Sequence, residues 1–476
     1  IASCLVGSEM CIRDRLTRGG YIIKKNRLNS EEQIKLKNIL TVTPQLQNNN
    51  GFCNSESFPV FRESESRFRI PRYYGTQCFG LPSMNIPNGI PIDVDFKGQL
   101  KKSTNQDIAV SKTMNHLLNF GGGILSLPTG YGKTCVALYI ISKIKLKTLI
   151  IVHKEFLMNQ WIERIQQFLP TASIGLIQQN KVDIVGKDIV IGMLQSLAMK
   201  NYEPNMFETF GLTIIDETHH ISSKIFSKAL FNVCTKHMLG LSATPIRKDG
   251  LTKVLNWFIG DIFYSVQRKN TSIVNVNIHR FNCLEYKNDP PLNKLGKISL
   301  PTVINQLVII DDRNKLIIKC LHEAISSQRK IIVLSDRRNH CELLHNLIQD
   351  SIPNCTSGLY MGGMKQEKLK ESESCDILLA TYSLAHEGLD IPALDTLILA
   401  TPKTDIVQSC GRILRETTGK KNSPLIIDIC DSYASLPSQA IKRKKYFIES
   451  EFIVDNNKGV KIKEHKRESS YSFIDE

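Results

Sequence analysis

Short apolar runs alternate with amphipathic segments along the chain from about residue 96. In the first part of this region the runs lie at 123–127, 148–152, 188–192, 212–216 and 237–242. A second series lies at 330–335, 375–380, 395–400 and 424–428. Runs of this length without polar alternation predict strands buried on both faces, and helices between them predict a parallel sheet. The two series therefore predict two α/β domains, at 96–264 and 265–455.

The segments outside these two series have a different pattern. Proline and glycine recur between residues 16 and 95, which predicts a small, loop-rich α+β accessory domain at the N-terminal side. Periodicity is weak just after residue 264, so we place the hinge between the α/β domains there. We interpret residues 1–15 as translated adapter sequence, and we expect 456–476 to form a mobile tail.

Charge and cysteine content narrow the class of protein. The net charge is +15, from 61 Lys and Arg against 46 Asp and Glu, which favours a polyanionic partner such as nucleic acid. Thirteen cysteines without a C-x-x-C pair indicate neither a disulfide framework nor a zinc site, and favour an intracellular location. No apolar run approaches the ~18 residues needed to span a bilayer, so we expect no membrane contact.

The loop after the first apolar run has the composition of a phosphate-binding loop. It contains Thr129, Gly130, Gly132, Lys133 and Thr134 between a predicted strand and a predicted helix. The glycines allow a tight turn, and a helix N-terminus attracts phosphates. In this interpretation Lys133 contacts the β- and γ-phosphates, and Thr134 ligates Mg²⁺. Leu127 occupies the position of the first glycine in the full pattern, so this loop alone is weak evidence.

Two adjacent carboxylates follow the fourth run. Asp216 would hold Mg²⁺ and Glu217 would orient or deprotonate the attacking water, as a nucleotide hydrolase requires. The structural alternative is that Asp216 caps a helix. The phosphate-binding loop upstream favours the catalytic interpretation.

With these motifs in order, the chain resembles the superfamily 2 helicases of the D-E-x-H group. Motifs similar to those of this family occur at 96–100 with Gln106, 150–154, 189–196, 241–245, 331–336, 380–392 and 408–415. In this family the position of Leu127 need not be glycine. The resemblance implies two tandem RecA-like parallel-sheet domains and an enzyme that hydrolyses ATP with Mg²⁺.

The resemblance also implies roles for individual residues. Gln106 would read adenine, and Gly388 and Asp390 would lie beside the nucleotide ribose. The nucleic-acid backbone would be contacted by His153, Lys154, Gln195, Ser196 and Thr381. His219, Ser242, Thr244 and Gln408 would couple the nucleotide site to the nucleic-acid contacts.

Two arginines in the second domain complete the expected ATP site. Arg412 and Arg415 are three residues apart, a spacing that would place both on one helical face. Such a pair suits the charge of a phosphoryl-transfer transition state, whereas an ordinary surface pair is the structural alternative. Since the phosphate-binding loop is in the other domain, hydrolysis would depend on closure of a cleft.

A narrower resemblance is carried by shorter segments. Residues 71–75, 240–251, 257–260 and 442–446 are similar to helicases of large nucleocytoplasmic DNA viruses, including the poxvirus transcript-release type. These are relatives of the xeroderma-pigmentosum-type and phage branch-migration helicases. The implied location is the host-cell cytoplasm or the virion. Trp161 lies on an apolar helix face, which favours core packing over base stacking.

We expect an ATP-dependent DNA helicase or translocase, with single- or double-stranded DNA or an RNA–DNA hybrid as partner. The alternative from another class is a viral transcription accessory factor, whose ATPase remodels an RNA polymerase complex. An RNA helicase is a third, less favoured interpretation.

Overall fold

A computed structural model describes residues 15–45, 56–84, 86–203, 205–218, 223–243, 246–247, 249–266, 273–283, 286, 289–353, 355–389, 391–414, 420 and 422–455. The chain divides into two compact units, residues 1–268 and residues 269–476.

The first unit combines a small sheet, a large sheet and surrounding helices. Its strands are β1 Arg15–Thr17, β2 Gly20–Lys24, β3 Thr41–Val42, β4 Phe58–Pro59, β5 Arg62–Glu63, β6 Arg67–Ile70, β7 Ser83–Met84, β8 Gly122–Ser126, β9 Thr148–Val152, β10 Ile174–Gln178, β11 Lys181–Val182, β12 Ile189–Met193, β13 Leu212–Ile215, β14 His237–Ser242 and β15 Ile262–Ser265. Its helices are α1 Ser30–Leu40, α2 Arg72–Phe79, α3 Gln106–Phe120, α4 Lys133–Ile144, α5 Glu155–Phe168, α6 Leu194–Met199, α7 Ser223–Leu230 and α8 Thr252–Ile259.

The large sheet of the first unit is parallel except at one edge. Its strand order is β11-β10-β12-β9-β13-β14-β8-β15, and only the edge strand β11 runs antiparallel to its neighbour. Every residue of β8, β9, β13 and β14 is buried. These strands are the apolar runs of the sequence, and helices cover both faces, so the predicted α/β class is confirmed.

The N-terminal segment forms its own sheet but shares its core with the large one. The small sheet has the order β5-β6-β2-β1-β7, with antiparallel pairs except between β1 and β7. Tyr21 and Phe68 belong to the same apolar cluster as Leu149 and Ile151 of β9. The N-terminal segment is therefore attached to the first α/β domain through a continuous core.

Helix α2 explains the segment at 71–75 that supports the narrower resemblance. Arg72 is buried and its Nη1 donates hydrogen bonds to the carbonyls of Thr235 and Lys236, both at 3.0 Å. Gly75 packs so closely on Tyr21 that a Cβ there would lie 2.3 Å from the Tyr21 ring. The segment thus has a structural role, since it joins the accessory sheet to the large sheet.

The second unit is a further α/β domain. Its strands are β16 Asn275–Phe281, β17 Ile331–Ser335, β18 Ser357–Tyr360, β19 Ile377–Thr381, β20 Thr396–Leu399, β21 Leu425–Asp431 and β22 Ile453–Asp455. Its helices are α9 Leu300–Leu307, α10 Asp311–Ser326, α11 Arg338–Ser351, α12 Gln366–Ser374, α13 Tyr382–Gly388, α14 Val407–Ile413 and α15 Leu436–Glu449. The strands form one parallel sheet of order β18-β19-β17-β20-β21-β16-β22.

Two buried ion pairs anchor helices to β21. Arg313 of α10 pairs with Asp431 at 2.7 Å, and both side chains are fully buried. Arg443 of α15 pairs with Asp428 at 2.9 Å. Arg443 belongs to the basic segment 442–446, so not every charge of that segment lies on the surface. A buried charge must be paired, and the pair of Arg443 with Asp428 fixes α15 to the sheet.

Two further observations concern the described residues as a whole. No helix among them is long and apolar enough to cross a membrane. No disulfide links the cysteines within this part of the chain.

Candidate nucleotide site and nucleic-acid surface

The loop between β8 and α4 has the backbone conformation of an anion cradle. Gly130 and Gly132 have φ values of 83° and 94°, in the left-handed region that side chains disfavour. Helix α4 begins at Lys133, directly after Gly132. Backbone N–H groups of the loop and the positive end of the helix dipole are therefore available together for phosphate oxygens.

Lys133 and Glu217 meet beside this loop. The Lys133 Nζ lies 3.7 Å from Glu217 Oε1, and it donates a hydrogen bond to the carbonyl of Leu127 at 3.4 Å. Both side chains are mostly buried, with 12% and 17% of their surface exposed. An ammonium and a carboxylate at the mouth of an anion cradle are the groups that position a phosphate and a nucleophilic water.

Asp216 follows β13 and is held by two hydrogen bonds. Its Oδ2 accepts from Trp161 Nε1 at 2.9 Å, and its Oδ1 accepts from the Glu217 backbone N–H at 3.0 Å. The pKa of Asp216 is raised to about 6, chiefly by burial and secondarily by the neighbouring charge of Glu217, while the bond from Trp161 and the charge of Lys133 act in the opposite direction. A buried carboxylate in this state gains from a cation.

The side chains around the loop fit a nucleotide with Mg²⁺. Asp216 and Thr134 are hard oxygen donors of the kind Mg²⁺ prefers, and the loop supplies the phosphate contacts. When bound, Mg²⁺ would neutralise charge that develops on the transferred phosphoryl group. Glu217 has a φ of 46°, an uncommon conformation for a non-glycine residue and one that recurs at functional sites.

Gln106, at the start of α3, holds the phosphate-binding loop. Its Nε2 donates to the Tyr131 carbonyl at 2.6 Å, and its Oε1 accepts from the Lys101 backbone N–H at 2.8 Å. The side chain is 1% exposed. Adenine recognition by Gln106 stays a prediction, and the structure adds a contact that ties the segment before α3 to the loop.

The predicted nucleic-acid residues of the first unit come together at one edge of the large sheet. His153 and Lys154 follow β9, and Gln195 and Ser196 lie at the start of α6, directly after the adjacent strand β12. Gln195 Nε2 donates to the His153 carbonyl at 3.3 Å. Lys154 and Gln195 are exposed, whereas Ser196 is buried and accepts from the Gln179 N–H at 2.9 Å.

In the second unit Thr381 borders a cavity of about 560 Å³. The cavity lies where several parallel strands end, and Lys403 beside it pairs with Asp336 at 2.9 Å. Its lining consists of Asp336, Arg338, Gly362, Gly363, Thr381, Tyr382, Ser383 and Lys403. Arg338 and Lys403 are cationic groups that the family motifs did not indicate, because both lie in segments of ordinary composition.

The remaining predicted residues are only partly described. Ser242 ends β14, is fully buried, and accepts from the Leu127 N–H at 3.0 Å through its carbonyl. Gly388 ends α13, and Gln408 is buried in α14. The predicted roles of His219, Thr244, Asp390 and Arg415 concern positions outside the described residues.

The predicted arginine pair is described at only one of its two members. Arg412 is buried in α14, and its Nη1 donates to the Leu389 carbonyl at 2.8 Å. Helix α14 ends at Ile413, with Leu414 as its cap, and Arg415 lies outside the described residues. The shared helical face of Arg412 and Arg415 therefore stays a prediction.

Trp161 is a functional residue whose role the sequence did not reveal. Its core packing is confirmed, since it is 1% exposed, but its indole N–H also binds Asp216. The two residues are 55 positions apart, and only the packing of α5 on the large sheet brings them together. An indole on an apolar helix face gives no sequence signal for such a contact.

Comparisons with known proteins show the family to which the chain belongs. Residues 99–247 match the family described as type III restriction enzyme, res subunit, and residues 312–417 match the helicase conserved C-terminal domain. A protein of Acanthamoeba polyphaga mimivirus, named "Putative ATP-dependent RNA helicase", is 35% identical over 92% of this chain and 85% of its own length. A protein of the same name from African swine fever virus is 28% identical over 72% of each chain.

A solved structure supports the fold. A variant of Saccharomyces cerevisiae Dbp5 bound to RNA and ADP BeF3 superposes with a TM-score of 0.53. The superposed region covers 74% of this chain and 90% of the Dbp5 chain, with 12% sequence identity. The confirmed fold class is thus that of RecA-like helicases.

Proposed function

The chain belongs to the viral superfamily 2 helicases, which are ATP-hydrolysing enzymes, and we propose that it moves along a DNA strand, or unwinds a DNA or RNA–DNA duplex, at the expense of ATP. One observation carries this proposal. The phosphate-binding loop, Asp216 and the exposed residues Lys154 and Gln195 all follow strands of the same parallel sheet. The carboxyl ends of such strands share one edge, where ligands of α/β folds bind.

The proposed ATP chemistry uses residues with distinct tasks. Lys133 and the loop N–H groups bind the phosphates, Asp216 and Thr134 hold Mg²⁺, and Glu217 orients or deprotonates the attacking water. Arg412 adds positive charge to the transition state. Arg415, Asp390, His219 and Thr244 keep the predicted roles stated above.

Nucleic-acid contact through the backbone suits an enzyme that moves without regard to sequence. Lys154 and Gln195 are exposed polar groups, and Thr381 adjoins the cavity with the cations Arg338 and Lys403. Phosphate contacts of this kind carry little base information. DNA is the substrate we propose, because the motif variants are similar to those of DNA-acting relatives.

RNA is the competing substrate, since the names of the mimivirus and African swine fever virus relatives specify RNA. The test is ATP hydrolysis measured alone and with duplex DNA, single-stranded DNA, an RNA–DNA hybrid and RNA. We expect DNA or the hybrid to stimulate hydrolysis most. Stimulation by RNA alone would reverse the assignment, and no stimulation by any strand would refute the proposed motor.

Two lysine variants test the ATP site itself. Lys133→Ala removes the ammonium beside the phosphate-binding loop and should abolish turnover. Lys143→Ala is the matched control, because Lys143 lies in the same helix α4, near its C-terminal end, where its Nζ is 5.2 Å from the centre of the Tyr139 ring. An active Lys133→Ala protein would disprove the site.

A transcription accessory factor, with the ATPase remodelling an RNA polymerase complex in the host-cell cytoplasm or virion, is the second candidate. The similarity of 71–75 and 240–251 to the transcript-release type favours it. Deleting residues 16–95 is an unsuitable test, because the deletion removes Tyr21 and Phe68 and would expose the rest of the core that they share with Leu149 and Ile151. Affinity capture of viral RNA polymerase by the intact chain, with and without ATP, distinguishes the two candidates.

A further inference from the structure

The small sheet of the accessory domain carries its basic residues on one face. The register pairs Arg62 with Arg69 across β5 and β6, and Lys24 with Arg67 across β2 and β6. Arg15 of β1 and Arg69 of β6 are both directly opposite Ile22 of the strand between them, β2, so the two arginines lie in one line across the sheet. Residues that are directly opposite share a face, and all five side chains are exposed. We call these five residues the basic face.

Acidic residues are absent from the paired positions of this face in the described strands. The other paired positions on it are Thr17, Gly20, Ile22 and Ser83. Glu63 of β5 is on the opposite face, where it pairs with Lys25 at 2.6 Å and Lys37 at 2.9 Å. The charge of the basic face is therefore not neutralised by neighbours within its own strands.

An ordinary solvated sheet face would mix charges, since like charges directly opposite each other are destabilising. Here both cross-strand pairs join two cations, Arg62 with Arg69 and Lys24 with Arg67. The pKa of Arg62 is lowered by its partial burial and, to a smaller extent, by the charge of Arg69. A bound polyanion would relieve this repulsion.

The basic face adjoins the helix that carries predicted nucleic-acid contacts. Both terminal nitrogens of Arg62 donate to Asn232 Oδ1, each at 3.2 Å. Asn232 Nδ2 in turn donates to the Leu197 carbonyl at 3.1 Å. Leu197 belongs to α6, and the first turn of this helix contains Gln195 and Ser196. The Asn232 side chain thus connects the basic face to the helix of the candidate nucleic-acid surface.

We propose that the basic face binds the phosphodiester backbone of a nucleic-acid strand and extends the contact beyond α6. The spacing suits such a strand, because neighbouring β-strands are ~4.8 Å apart and alternate residues along one strand are ~6.8 Å apart. Arginine forks bind phosphate oxygens in pairs. This inference rests on the proposed function, since it enlarges the surface for the same nucleic acid.

The test is the salt dependence of binding to a labelled duplex and a labelled single strand by the full chain. Arg67→Gln with Arg69→Gln removes two charges of the basic face and leaves Arg62 in place. Each lost phosphate contact lowers the slope of log K against log salt by ~0.9 on duplex DNA, hence by ~1.8 for two. Between 50 and 200 mM salt the unaltered protein should then lose about twelvefold more affinity than the double variant.

Two control proteins exclude simpler causes. Arg67→Lys with Arg69→Lys keeps the charge and should keep most of the slope. Lys35→Gln with Lys112→Gln removes two exposed charges on helices α1 and α3 and should leave the slope unchanged. Hydrolysis of ATP without nucleic acid should be equal in all variants, because none of these residues contacts the nucleotide site.

The outcomes separate this inference from the proposed function. Equal slopes for the unaltered protein and the double glutamine variant would overturn the basic face while leaving a nucleic-acid enzyme intact. An equal decrease of the slope in Lys35→Gln with Lys112→Gln would also overturn the inference, since the net charge of the protein would then explain the effect. Failure of the unaltered protein to bind any strand would refute both.

Discussion

The hydrogen bond between Trp161 and Asp216 predicts a metal-specific defect in Trp161→Phe. The substitution removes the indole N–H that binds Asp216 Oδ2 at 2.9 Å and keeps an aromatic ring in the core. A hydrogen bond to a charged group contributes ~1.5–3 kcal/mol, which corresponds to a factor of about 10 to 150. Loss of a residue that orients a metal ligand typically weakens metal affinity ~10–100-fold. We expect the Mg²⁺ concentration for half-maximal ATP hydrolysis to rise at least about tenfold.

The assay combines activity with binding. Hydrolysis and equilibrium binding of a fluorescent nucleotide are each measured across a Mg²⁺ titration and in EDTA. Binding in EDTA should be unchanged, because the phosphate-binding loop holds the nucleotide through its own backbone N–H groups rather than through the metal. Trp257→Phe is the matched control, since Trp257 packs on the Tyr74 ring at 5.3 Å, away from Asp216.

A smaller ring also leaves a cavity, so both variants should lose some thermal stability. General destabilisation lowers the amount of active protein without moving the Mg²⁺ midpoint. An unchanged midpoint in Trp161→Phe, or an equal shift in Trp257→Phe, would refute the reasoning that the indole positions Asp216.

Three further outcomes follow from the geometry. Gly132→Ala should weaken nucleotide binding about tenfold in a fluorescence titration, since its φ is 94°, a left-handed conformation costing ~1–2 kcal/mol, and its Cβ would lie 2.6 Å from Gln106 Nε2. Asp431→Asn should lower the free energy of unfolding by about 3–5 kcal/mol in urea, because it leaves the buried guanidinium of Arg313 uncompensated. His340→Gln should make the free energy of unfolding fall less steeply as the pH is lowered, because burial lowers the pKa of His340 to about 3.

The sign of the His340 effect follows from proton linkage. The unfolded chain binds this proton below about pH 6.5, whereas the folded chain does not bind it until about pH 3. Stability is therefore fully present above the unfolded value and is lost as the pH falls between the two, by at most about 1.4 kcal/mol per pH unit. A slope that is identical in the variant would contradict this. For Gly132→Ala an unchanged affinity, and for Asp431→Asn an unchanged unfolding midpoint, would contradict the respective structural reason.

The sequence by itself determined the fold class and indicated most of the candidate nucleotide site. The runs at 148–152 and 237–242 coincide with β9 and β14, because a strand buried on both faces must be continuously apolar. Lys133, Asp216 and Glu217 were recognisable because phosphate and Mg²⁺ demand fixed residue types next to a strand and a helix. These constraints are local in the chain, so they leave a local pattern.

Tertiary structure decided what depends on contacts between distant segments. The bond from Trp161 to Asp216, the anchoring of Arg443 on β21, and the shared core of the accessory domain join residues far apart in the chain. The basic face likewise exists only because strand register places Arg62, Arg69 and Arg15 in one row. Packing and register involve many residues at once, and no short segment of sequence contains that information.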